Sequence, residues 1–169
     1  MKPIVSIIMG SVSDMPIVRE AADFFNEMQI PFELNALSAH RVPDMVAEFA
    51  KNAQQRGVRV IIAAAGGAAH LPGVVAAFTT LPVIGIPIKS NNSVEGLDSI
   101  LSILQMPPGV PVATMALNGA KNAAIFAAQI LATADEDIAE KMKKFKADLA
   151  KKIIKANEEL AEIEFDYKA

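Results

Sequence analysis

The chain has 169 residues, of which 52% are apolar and 21% charged, with a formal net charge of −3 and no cysteine. That length and apolar share suit one globular domain with a real core and exclude an intrinsically disordered chain. The lack of a basic excess argues against nucleic-acid binding, and the lack of cysteine excludes disulfides and thiolate metal sites.

In chain order, the first apolar run, 3–9, could imitate a signal peptide. It is too short, lacks a small-residue cleavage pattern and ends on Gly10-Ser11, so it reads as a strand of a soluble, cytoplasmic protein. A helical pattern follows at 13–28, then a strand at 31–38, a helix at 42–56 and a strand at 58–65. From Arg59 to Lys89 no residue between is charged, a span long enough to cross a bilayer. Pro72, Pro82 and Pro87, with Gly66, Gly67 and Gly73, break any single helix there, so no membrane span is expected. The segment reads instead as two buried strands, 58–65 and 82–87, joined by a short helix at 70–79. A helix at 96–105, a strand at 110–116 and a helix at 120–132 complete the alternation.

Three of the strands are nearly all apolar, as parallel strands covered on both faces must be. Alternating β and α then predicts a three-layer α/β/α fold with a flavodoxin-like, parallel five-stranded sheet, in one domain spanning 1–169. Beyond it, Thr133 and Glu136 have capping-box spacing and open a long helix at about 134–163. Its apolar stripe is Ile138, Met142, Phe145, Leu149, Ile153, Ala156, Leu160 and Ile163, spaced in threes and fours. About 28 helical residues extend roughly 42 Å, more than one such domain needs to cover its core. The expectation is a helix that also packs on neighbouring subunits.

In open parallel sheets ligands sit outside the carboxyl ends of the strands, and the small and polar residues collect there. Gly10-Ser11-Val12-Ser13-Asp14 follows the first strand, Ser38-Ala39-His40-Arg41 the second, Gly66 to Gly73 the third and Lys89 to Ser93 the fourth. The first loop feeds a helix start, where free N–H groups attract anions; Ser11 and Ser13 add hydroxyl donors, and Ser13 alone would read as a helix cap. Asp14 would repel a phosphate but can accept hydrogen bonds from sugar hydroxyls. The loop has neither P-loop nor GxGxxG spacing, which argues against ordinary NTP or dinucleotide binding. Arg41 offers a planar fork suited to phosphate, and His40 beside it is of the type that exchanges protons near neutrality. Gly66 and Gly67 permit close backbone approach, while Ala68 and Ala69 keep the wall narrow and apolar ahead of His70 at a helix start. A second reading stays open: a nucleotide- or flavin-binding module on the same fold.

These stretches together resemble the PurE family, the N5-carboxyaminoimidazole ribonucleotide mutases. The matching segments are GSVSD at 10–14, SAHRVPD at 38–44, AAGGAAHLPG at 64–73, GLDSILSILQMPPGVPVAT at 96–114 and KNAAIFAAQIL at 121–131. SAHR with AGGAAHLPG is similar to the bacterial mutase branch rather than to the direct CO2-dependent carboxylases, which remain the nearest alternative. Leu117-Asn118-Gly119-Ala120 is shorter than the matching stretch of many relatives. The resemblance implies an octamer and a ribonucleotide substrate, with no cofactor and no metal. It implies that Ser11, Ser13 and Arg41 bind phosphate, that Asp14 binds the ribose and that His40 is the acid–base residue. Gly66, Gly67, Ala68, His70 and Leu71 would hold the carboxylate and released CO2, with Gly10, Ser38 and Ala39 among the substrate-binding positions.

Overall fold

A computed structural model describes residues 1–168. Its strands are β1 (Val5–Met9), β2 (Phe32–Ala36), β3 (Val60–Gly66), β4 (Val83–Ile88) and β5 (Ala113–Thr114). Its helices are α1 (Met15–Met28), α2 (Pro43–Arg56), α3 (Leu71–Ala77), α4 (Leu97–Leu104), α5 (Ala120–Ala132) and α6 (Glu136–Ala161), with a short 3-10 turn at Val12–Asp14 before α1. The strands form one parallel sheet in the order β2-β1-β3-β4-β5, the flavodoxin-like arrangement the alternation predicts. Among the described residues no helix is long and apolar enough to cross a membrane, and the uncharged stretch resolves into β3, α3 and β4.

Period-two side-chain alternation divides the core between the two faces of the sheet. Ile7, Ile62 and Ile84 pack with Phe25 of α1, Ala124 of α5 and Met142 of α6. Ile8, Ile61 and Ala63 pack with Phe49 of α2, Val75 of α3 and Ile103 of α4. The α5 face is built of alanines, with Ala120, Ala123, Ala124, Ala127 and Ala128 fully buried, so α1 can approach closely. Phe24 of α1 meets Phe145 of α6 edge to face at 5.4 Å, which ties α6 to the domain.

Helix starts follow the prolines: Pro16, Pro43 and Pro72 each stand in a first turn, where the missing N–H is no loss. Two expected boundaries differ. The fifth strand shrinks from 110–116 to two residues, paired only through Ile84–Ala113 and Gly85–Thr114. Pro111 has no N–H to give the ladder, and Pro107 to Val110 turns back on itself through a 3.1 Å hydrogen bond from Val110 N–H to the Pro107 carbonyl. At the start of α6 the capping box is not formed. Asp135 is the cap, accepting from Ile138 N–H at 3.1 Å, while the Thr133 hydroxyl donates back to the Ile130 carbonyl at 2.6 Å and closes α5 instead. Capping preferences tolerate either residue, and the three-residue break between the helices decides for Asp135.

Candidate functional site

The carboxyl ends of β1, β2, β3 and β4 open on a cavity of about 660 Å³. Twelve of the thirteen residues proposed from the sequence line it: Gly10, Ser11, Ser13, Asp14, Ser38, Ala39, His40, Arg41, Gly66, Ala68, His70 and Leu71. Gly67 does not. It is buried behind the rim with φ +62, and a β-carbon there would sit 3.1 Å from the Asn92 side chain. Its part is to turn the loop, a conformation in which glycine is unstrained.

After β1, Ser11 rather than Ser13 is the cap of the 3-10 turn, accepting from Ser13 N–H at 3.3 Å. That leaves the Ser13 hydroxyl exposed to the cavity, 3.4 Å from Asp14 Oδ1. Asp14 is only 5% exposed although it lines the cavity. Burial raises its pKa above the usual aspartate value, and hydrogen bonds from the Ser13 side chain and the Ser11 backbone pull the other way. A carboxyl set into the cavity wall in this way is poised to accept from ligand hydroxyls.

The loop after β2 and the start of α3 meet across the cavity. His40 Nε2 lies 2.9 Å from His70 Nδ1, the rings 77° apart. One such bond holds one hydrogen, so one ring offers N–H and the other a lone pair, and the tautomers of the two are tied together. Nothing in sequence spacing predicts this contact between residues 30 apart. His70 is the residue preceding α3 rather than its first turn. Arg41 stands exposed on the same loop as His40, its N–H turned back to the Ser38 carbonyl at 3.3 Å.

Gly66 is required by its neighbour across the sheet. A β-carbon there would lie 2.5 Å from Ser90 Oγ and 2.7 Å from Ser90 Cβ. Ala69 holds φ +42 in the same loop, with its N–H on the Gly66 carbonyl at 3.2 Å. That residue is strained outside glycine, and such strain concentrates at functional loops. The β4 loop adds Lys89, Ser90, Asn91 and Asn92 to the wall, and Pro16, Ile17 and Ile88 add apolar lining. The sequence places that loop at a strand end but assigns it no role; its only signal was position after β4. Among the described residues no cluster of three or more metal-ligating side chains occurs.

The chain matches the family model described as AIR carboxylase over residues 4–152. It is 51% identical to the N5-carboxyaminoimidazole ribonucleotide mutase of Pyrococcus horikoshii, over 96% of this chain and 91% of that protein. It is 52% identical to the mutase of Thermotoga maritima, over 95% of this chain and 94% of that one. Among solved structures, the PurE of Treponema denticola superposes with a TM-score of 0.83 at 31% identity, covering 94% of this chain and 98% of that one. The match runs through every strand and every loop that forms the cavity: this chain belongs to the AIR carboxylase family.

Proposed function

We propose that this protein is an N5-carboxyaminoimidazole ribonucleotide mutase, an isomerase of purine biosynthesis that moves a carboxylate from N5 to the neighbouring ring carbon. Relatives of that name at about half identity over nearly the whole chain support the activity. The observation that carries the mechanism is the His40–His70 pair, 2.9 Å apart on a cavity that also presents Arg41, Ser11 and Ser13. Arg41 and the two serines would take the phosphate, and Asp14 the ribose hydroxyls, whose donors suit a half-satisfied carboxyl.

The chemistry needs one mobile proton. The N5–carboxylate bond breaks, CO2 departs and the amine nitrogen accepts a proton from His40. The ring carbon then attacks CO2, and the proton displaced from that carbon returns to His40, so acid and base balance over the cycle. The His70 ring, bonded to His40 Nε2, leaves His40 Nδ1 as the nitrogen free to exchange that proton with a ligand. Ala68, Leu71 and the Gly66 turn close the space in which CO2 must wait.

The far half of α6 and the exposed Leu97, Leu101 and Leu104 of α4 support assembly of several copies, and an octamer is the reading taken from the family resemblance. A cytoplasmic location and a single catalytic domain belong to the same reading. The test is incubation of purified protein with N5-carboxyaminoimidazole ribonucleotide in CO2-depleted buffer without ATP or bicarbonate. Conversion to the 4-carboxy product is expected. Product formed only from 5-aminoimidazole ribonucleotide plus CO2 overturns the mutase reading in favour of direct carboxylation.

A further inference from the structure

We propose that Lys89 is a second anion-binding residue of this cavity, taking the carboxylate of the nucleotide while Arg41 takes its phosphate, and that Glu95 holds the Lys89 ammonium until a ligand arrives. The inference rests on the mutase reading for its substrate.

Arg41 and Lys89 are the two permanent cations among the residues lining the cavity. They enter it from different loops. Arg41 follows β2 and Lys89 follows β4, and the strand order puts β1 and β3 between them. Three strand spacings, about 14 Å, separate the strands from which the two loops leave the sheet. A ligand with one anionic group satisfies one of them; a ligand with a phosphate at one end and a carboxylate at the other satisfies both. Lys89 is on the carboxylate side. Ile88 pairs with Gly66 in the sheet register, so Lys89, the next residue, leaves the strand beside the glycine turn.

Its backbone is fixed rather than free. Lys89 N–H donates to Asn118 Oδ1 at 2.9 Å, and Asn118 N–H donates to the Pro87 carbonyl at 2.8 Å. Asn118 has φ +57, a conformation asparagine tolerates better than other side-chain-bearing residues. The 117–120 stretch thus clamps the end of β4. The side chain, by contrast, is exchangeable. Lys89 pairs with Glu95, but the two side chains are 49% and 84% exposed, and an exposed pair of this kind is held weakly. A substrate carboxylate brought into the cavity can replace Glu95 at little cost.

A cation so placed attracts carboxylates and not neutral CO2. Removing it therefore weakens the carboxylated nucleotides selectively, and removing Glu95 does the reverse. The experiment is calorimetric titration of wild type, Lys89→Met and Glu95→Gln with 4-carboxy-5-aminoimidazole ribonucleotide and with 5-aminoimidazole ribonucleotide. Loss of one charge-assisted bond predicts about tenfold weaker binding of the carboxylated nucleotide to Lys89→Met, with the ratio between the two ligands falling by the same factor. Glu95→Gln is expected to bind the carboxylated nucleotide about twofold to threefold more tightly, the size of a weak exposed pair. Equal weakening of both ligands in Lys89→Met, an unchanged ratio, or weaker binding by Glu95→Gln overturns the proposal. Wild-type turnover of the carbamate separates the two readings: an inactive wild type sinks the mutase assignment, whereas an active wild type with an unchanged ratio in Lys89→Met sinks only the role of Lys89.

Discussion

The cavity rim and the far half of α6 both depart from the packing of the core, in opposite senses. At the rim polar groups are drawn in: the Asp14 carboxyl is 5% exposed and Ala69 is held at positive φ. Along α6 apolar groups are left out. Ile138 and Met142 are buried and Phe145 packs on Phe24, yet from one turn later onward Leu149, Ile153 and Leu160 are 47%, 66% and 58% exposed. The helix keeps one period throughout while its surroundings change. Polar burial marks the cavity as a ligand site, and in the assembly proposed above the exposed apolar stripe is the face that another copy would cover.

The largest effect that would test the first half of that contrast is on turnover. His40→Asn preserves size and hydrogen bonding but cannot carry the proton, so turnover should fall by about 10²–10⁴ while nucleotide binding persists. His70→Asn keeps a hydrogen-bonding partner for His40 Nε2 and should lose less. Its pH profile of turnover should shift, because the ring that shared the hydrogen is gone. Stopped assays of both variants across pH decide it, and near-normal turnover of His40→Asn with a dead His70→Asn reverses the roles.

The second half is tested at Ile153. Replacing a side chain buried between copies by Glu removes about 1.5–3 kcal/mol per contact and adds a charge to an apolar interface. Ile153→Glu should lower the mass seen by light scattering at micromolar concentration, with the circular dichroism of the protomer retained. An unchanged assembly would mean that the stripe is not covered by another copy.

The smallest expected effect joins the two. Burial holds the Asp14 pKa above its ordinary value, so the folded state binds this proton more tightly than the unfolded chain does. The stabilising contribution of the protonated form is present below the ordinary aspartate range and is lost as pH rises through the raised folded value. Asp14→Asn removes the cost of ionising a buried group, so it should melt higher than wild type near neutrality, by about 2–4 °C if the gain is about 1 kcal/mol, with the difference shrinking toward acid. Ribose binding should weaken in the same variant. Equal melting temperatures at both pH values would remove Asp14 from the strained side of the comparison.

Much of this is legible in the sequence. Continuous β-branched runs announce strands buried on both faces, and Pro72, Pro82 and Pro87 with the glycines break the uncharged stretch into two strands and a helix. The four polar loops could be assigned to one edge because parallel strands all end there. Cap identity was not legible at 133–136, where Thr133 and Asp135 are both suitable and the geometry of the break selects one. Nor was the length of β5, since Pro111 withdraws a donor only if the ladder reaches it.

What the sequence by itself determined is therefore the order of elements, the layer architecture and the set of loops that face a ligand, because each follows from local periodicity or from a rule that holds for every parallel sheet. Only the tertiary structure decided which groups meet. The His40–His70 bond joins residues 30 apart, Lys89 is clamped by Asn118 from 29 residues away, and Gly66 must be glycine because Ser90 of the next strand's loop occupies the space its side chain would need. Such contacts depend on strand order and register, which fix distances between loops that no local pattern encodes.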